Sequence, residues 1–305
     1  MSRLAARRWF VACVLFLALF GHLHGAVADE QSADNFESFL EPIRLHYDVP
    51  ALAAILMHGD RMAGIGAVGY RKSGETTPVG RDDRWHLGSI GKSMTATMIA
   101  RLVERGTLTW DLRVGDALGD AVPDMHIAYR AVTLEDLLAY RSGLVGAMTA
   151  LEIWSGKLWR STKAKADLRL DIATEALALP PETPPRSTFH YSNAGYVIAG
   201  AMAERAAGEP WDELMLRELF EPLGMNASGF GAPGNVGKLS QPWGHYEGRS
   251  RIVPVELGLG GDSPRRSNRP ARSVHRSSMS GVICRPICSA PVGAAGCCSR
   301  KHSEF

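Results

Sequence analysis

Cysteine is missing where it would matter most for folding. Of five cysteines, Cys13 sits in an N-terminal apolar run, and Cys284, Cys288, Cys297 and Cys298 lie near the C-terminus. Residues 29–261 contain none, so no disulfide framework holds this body together. The body also lacks a basic surplus. Of the 34 Lys and Arg, three fall in the first 28 residues and eight beyond Gly261, which leaves 23 against 30 of the 32 acids, a net charge of −7. Nucleic-acid binding needs a basic stripe to displace counterions, and that class is excluded. No internal repeat or heptad array is visible. What remains is ordinary globular composition, 45% hydrophobic and 22% charged, in a chain long enough for one large core or two lobes.

Arg3, Arg7 and Arg8 precede an apolar run over 9–20, and small residues follow up to Ala26-Val27-Ala28. This is the pattern of a secretory signal peptide, cleaved after Ala28. The run is too short to cross a hydrocarbon layer of roughly 30 Å, so no stable membrane anchor is expected. Cys13 has further apolar sequence after it, which argues against a lipid-attachment site. The expected location is periplasmic or secreted, and the expected state is a monomer.

Apolar spacing predicts a first helix over 35–47, closed by Pro50. Two apolar runs, 51–57 and 62–70, flank His58-Gly59-Asp60 and read as a β-hairpin. Past Trp85, Ile90, Met94, Met98, Ile99, Leu102 and Val103 recur at three and four, with Gly106 as the stop. Further helical patterns cover 134–138, 171–179, 194–207 and 211–220, with Gly208 and Gly224 as stops. A proline-rich loop over 180–185 leads to Phe189. A hairpin followed by many helices suggests the α+β class.

Ser89-Ile90-Gly91-Lys92 lies at the start of the helix after Trp85. Residues three apart share a helical face, so the Lys92 amine can reach the Ser89 hydroxyl. Free N–H groups at a helix start favour a developing oxyanion. A serine hydroxyl is a poor nucleophile at neutral pH, and a lysine serves as its base where burial disfavours the ammonium form. Taken alone, Ser-x-x-Lys is weak evidence, and the same residues read more readily as an N-cap serine and a solvated first-turn lysine. A second group, Tyr191-Ser192-Asn193, opens the helix over 194–207. A tyrosine hydroxyl can pass the serine proton to a leaving group, and an asparagine amide can orient the lysine and a substrate amide. The plainer alternatives are a core tyrosine and an N-cap asparagine.

Four stretches together, 85–92, 133–144 (TLEDLLAYRSGL), 189–203 (FHYSNAGYVIAGAMA) and 219–225 (LFEPLGM), resemble the serine β-lactamase-related superfamily in order and spacing. The likeness is to class C β-lactamases and their penicillin-binding and esterase relatives, and it runs from about Phe36 to Gly261. It implies an α+β fold of the β-lactamase/transpeptidase type, an antiparallel sheet flanked by helices with an all-helical lobe inserted. It implies a serine hydrolase working through a covalent acyl-enzyme on β-lactam, ester or D-alanyl peptide substrates, without cofactor or metal. Ser89 would form the acyl-enzyme, Lys92 would activate it, Tyr191 would share proton transfer and Asn193 would contact substrate.

The family's third motif, Lys-Thr-Gly or a His variant on a C-terminal strand, is not found. His245 in the run 243–248 is a candidate substitute, but that run reads as an intervening loop. Beyond Gly261 arginine and serine crowd together, and apolar periodicity ends. We expect residues 262–305 to form an aberrant, disordered tail that lacks the C-terminal strands, the product of a frameshift near Asp262. Re-reading the nucleotide sequence in the other frames tests this, and finding no family-like strands there counts against it. A basic arm, or a zinc site at Cys284, Cys288, Cys297 and Cys298, is the competing reading of the tail. For the chain, the alternative function is a catalytically incompetent, truncated member that at most binds cell-wall peptide.

Overall fold

The computed structural model describes residues 36–146, 161–248 and 251–255, and the backbone of 282–284. The expected signal peptide, and the tail apart from that three-residue segment, lie outside the described residues.

Contacts divide the chain into two units, with the boundary in the sequence between Gly69 and Tyr70. In the first, helix α1 (Phe36–His46) packs on an antiparallel hairpin of β1 (Ala51–His58) and β2 (Arg61–Gly69). Its register pairs Ala51 with Gly69 and Ile55 with Ile65, and a bulge at Leu56/Met57 precedes the turn. Leu40 of the helix and Ile65 of the hairpin are buried, while Ile55, Leu56, Met57 and Met62 are exposed. The hairpin tip thus presents apolar side chains to solvent.

The second unit carries the core. Strand β3 (Trp85–His86) and a 3₁₀ turn, Gly88–Ile90, feed helix α2 (Gly91–Glu104). Short helices α3 (Val114–Leu118) and α4 (Leu134–Leu138) follow, then α5 (Lys165–Ala178), α6 (Asn193–Ala207) and α7 (Trp211–Met215), which runs on as a π-helical turn over Leu216–Phe220. Met98, Ile99 and Leu102 of α2, Leu134 and Leu137 of α4, Ile172 and Leu177 of α5, and Ile198 and Met202 of α6 meet in one cluster with little or no exposure. Helix α6 is buried along most of its length, and that fits its run of small and apolar residues. It ends where predicted, at Gly208 in the left-handed conformation.

Three local expectations need correction. Helix α5 starts at Lys165, not at 171: its first turns carry Lys165, Asp167 and Arg169, whose charges mask the helical period, although Arg169 is buried. The run 243–248 holds a strand, β5 (Gly244–Glu247), paired antiparallel with β6 (Ile252–Val255), after the two-residue strand β4 (Gly229–Phe230). And the expectation of a tail without strands meets one exception: β7 (Val282–Cys284) pairs antiparallel with β3 and β4. Three residues of backbone suffice to bridge two short strands, whatever the composition around them.

Candidate active site

Two segments distant in sequence build the site. The first is the turn before α2. Gly88 has φ of 54°, a left-handed conformation that glycine adopts without strain, and its N–H donates to His86 Nδ1 at 3.2 Å. Ser89 follows, exposed, within the 3₁₀ turn. It is not a helix cap: the N-cap of α2 is Ile90, with no side-chain capping bond.

The second segment, 180–192, is laced onto residues 139–146 by backbone bonds. Glu182 N–H donates to Gly143 O at 2.9 Å, Arg186 N–H to Arg141 O at 2.7 Å and His190 N–H to Tyr140 O at 2.7 Å. Gly143, with φ of 77°, makes the approach possible, since a Cβ there would lie 2.1 Å from Thr183 O. The Ser192 hydroxyl donates to Val145 O at 2.7 Å and accepts from Gly195 N–H at 3.4 Å, so Ser192, not Asn193, caps α6. The Glu182 carboxylate adds a clamp from its Oε2, 2.7 Å from His190 Nε2 and 3.0 Å from Gly146 N, the N–H donating.

The lacing brings Tyr191 to Ser89. Lys92 Nζ donates to Ser89 Oγ at 3.0 Å, and the Tyr191 hydroxyl lies 3.0 Å from the same oxygen. The Tyr191 hydroxyl donates to Asn193 Oδ1 at 3.3 Å. With that proton committed to Asn193, Ser89 is left as donor to Tyr191, and the four groups form one directed chain. Lys92 is not a solvated lysine. It is 3% exposed, its Nζ stands 5.3 Å from the centre of the Tyr191 ring and 6.0 Å from that of Tyr196, and no carboxylate among the described residues pairs with it. Asn193 touches Tyr191 but makes no described contact with Lys92, the orienting role raised from sequence.

Sequence reasoning missed the aromatic packing behind this chain. Tyr140 stacks on Tyr191 with centroids 4.8 Å apart, meets Phe189 edge-on at 5.3 Å and lies 5.4 Å from Tyr196. Burial pushes the Tyr140 and Tyr196 phenols above their usual range. The only sequence sign was the presence of these rings in the runs 133–144 and 189–203.

His245 does not join the cluster. Its Nε2 accepts from Ser73 N–H at 2.9 Å, and burial lowers its pKa below the usual 6.5, partly offset by a backbone hydrogen bond at Trp243. The unfolded chain therefore binds a proton that the folded ring resists. The stability this provides is complete above pH 6.5 and drains away as pH falls toward the lowered value. We expect the melting temperature to fall between pH 7.5 and pH 5, and to fall less in His245→Gln, whose amide oxygen still accepts from Ser73. An equal acid-induced loss in both proteins, read by thermal denaturation, refutes this account.

Among the described residues no helix is long and apolar enough to cross a membrane, and no three His, Cys, Asp or Glu side chains gather as a metal site. The chain is similar to penicillin-binding protein 4 of Amycolatopsis lactamdurans, 33% identical over 198 residues, which are 64% of this chain and 48% of that one. It therefore spans about half the length of that curated relative. The octameric penicillin-binding protein homologue from Pyrococcus abyssi superposes with a TM-score of 0.60 at 22% identity, covering 82% of this chain and 53% of the other. A class C β-lactamase superposes with a TM-score of 0.60 at 16% identity, covering 86% and 64%. The fold is thus that of the β-lactamases and penicillin-binding proteins. The Beta-lactamase family model matches residues 31–298, past the limit at Gly261 drawn from the motifs, and the chain belongs to that family.

Proposed function

We propose that this chain is a serine hydrolase that acylates itself at Ser89, acting on β-lactam, ester or D-alanyl peptide substrates. The observation that carries the reading is the placement of one exposed hydroxyl 3.0 Å from both a buried amine and a tyrosine hydroxyl. In the acylation step Ser89 Oγ bonds to the carbonyl carbon while its proton passes to the Lys92 amine. The scissile C–N or C–O bond then breaks, and the leaving atom takes a proton through Tyr191. Water attacks the Ser89 ester in the second half, the same groups moving protons in reverse, and the freed acid departs with Ser89 restored. Backbone N–H groups hold the oxyanion. The chemistry needs no cofactor. Asn193, beside Tyr191, is the group we assign to substrate contact.

The named relatives, a penicillin-binding protein and a β-lactamase, support the β-lactam part of that range. An exported protein, cleaved after Ala28, would meet both cell-wall peptides and β-lactams. The rival reading, an incompetent member that binds cell-wall peptide, rests on the missing third motif. A fluorescent penicillin and nitrocefin, applied to the protein beginning at Asp29, separate the two. Labelling of the wild type that Ser89→Ala abolishes supports the hydrolase. Equal labelling of both removes Ser89 from its role, and activity seen only after restoring the reading frame beyond 261 favours the rival.

A further inference from the structure

We propose that Tyr140 is a positioning residue whose ring and backbone together set the Tyr191 hydroxyl against Ser89. The inference rests on the acyl-transfer reading above and extends it to a residue that has no contact with Ser89 itself. Three contacts converge. The Tyr140 ring lies nearly parallel to that of Tyr191, at 27° and 4.8 Å between centroids. Its carbonyl accepts from His190 N–H at 2.7 Å, holding the residue next to Tyr191. Its edge-on contact with Phe189 holds the residue before that. Residues 189–191 are thus docked on one side chain and its own backbone.

The same ring reaches Tyr196, whose hydroxyl is anchored by donation to Leu138 O at 3.1 Å and whose face lies over the Lys92 amine. Tyr140 therefore backs both aromatic rings that flank that amine. It does so from a left-handed backbone, φ 57°, a conformation unfavourable for a bulky residue. A tyrosine kept where glycine or asparagine would relieve the strain is explained by what its ring supports.

Stacking needs the ring and not its hydroxyl, and this makes the inference testable. Tyr140→Phe keeps the stack, Tyr140→Leu removes it, and Tyr191→Phe removes the hydroxyl being positioned. With a nitrophenyl ester as substrate, Tyr140→Phe should stay within about threefold of wild type. A relay group displaced by about 1 Å costs on the order of 100-fold, so Tyr140→Leu should lower kcat about 10- to 100-fold with KM changed less than threefold. If Tyr140 acts through Tyr191, adding Tyr140→Leu to Tyr191→Phe should slow the enzyme little further. Crystal structures of wild type and both Tyr140 variants complete the test: the Tyr191 hydroxyl should leave Ser89 Oγ in Tyr140→Leu and stay in Tyr140→Phe. A Tyr140→Leu protein with Tyr191 unmoved, or as fast as Tyr140→Phe, overturns the proposal. Should the wild type never acylate at Ser89, the hydrolase reading falls, and the two variant structures alone decide whether Tyr140 places Tyr191.

Discussion

Lys92→Met is expected to cut the rate of Ser89 acylation about a thousandfold while leaving the folded chain as stable as before, or more stable. Loss of a general base costs 10² to 10⁴ in rate, and on the proposed mechanism that base is Lys92, whose amine donates to Ser89 Oγ at 3.0 Å. The Tyr191 hydroxyl, 3.0 Å from Ser89 Oγ, is not removed by the substitution, so the loss should not be total. Stability moves the other way for a physical reason. The Lys92 amine is 3% exposed, faces aromatic rings and has no carboxylate partner among the described residues. Replacing such a buried polar head by an apolar side chain of similar length removes a desolvation cost. Pre-steady-state labelling with a fluorescent penicillin and a thermal melt of the same two proteins check both halves. Acylation within tenfold of wild type would remove Lys92 as base. A melting temperature several degrees lower would show that the amine contributes to folding and is not a strained functional group.

The second large effect is on stability, at the centre of the helical core. Arg169 and Glu204 form an ion pair between α5 and α6, nearly hidden from solvent, with side-chain exposures of 6% and 10%. The guanidinium lies over the Trp211 ring at 5.3 Å, and Glu204 also accepts from Trp211 N–H at 2.8 Å. Burial works against both charges, lowering the Arg169 pKa and raising that of Glu204, and the mutual attraction only partly compensates. Arg169→Met leaves the carboxylate without its cation, with Asp212 nearby, and should cost about 3 kcal/mol. For a domain of this size that is roughly 6–12 °C in melting temperature.

The sign of the pH dependence follows from Glu204. Its folded pKa is already above the unfolded value and rises further once Arg169 is gone. A group of this kind favours the fold below its unfolded pKa and loses that contribution as pH climbs through the folded one. The deficit of the variant should therefore be larger at pH 8 than at pH 5, because protonation of Glu204 as pH falls sheds its unpaired charge. Melts at those two pH values decide it: equal deficits, or a loss under about 1 kcal/mol, would mean that water or another cation compensates.

The readable parts of the fold were those where one apolar period dominated. Helix α2 and the hairpin of β1 and β2 came through because their core-facing residues recur at helical or hairpin spacing and their turns are marked by glycine. Charge obscured the start of α5, where Arg169 is a core residue by virtue of a partner 35 positions away. Four residues were too few for β5 to show alternation, and its pairing partner β6 was needed to define it as a strand. Likewise, Asn193 and Ser192 are equally good caps on paper. Their order was settled by Val145 O, which fixes the Ser192 hydroxyl at the helix mouth.

At the site the division is sharper. The pairing of Ser89 with Lys92 follows from the chain alone, because one turn of helix separates them and helical geometry carries the amine back over the hydroxyl. Family membership was equally legible, as the order of short motifs along one chain. Tyr191 is 102 residues from Ser89, and no local rule could bring the two hydroxyls within 3.0 Å of each other. That distance was set by backbone bonds between residues 139–146 and 182–190 and by the ring of Tyr140, contacts that exist only once α4 and α6 have packed together and ordered the loop before Tyr191.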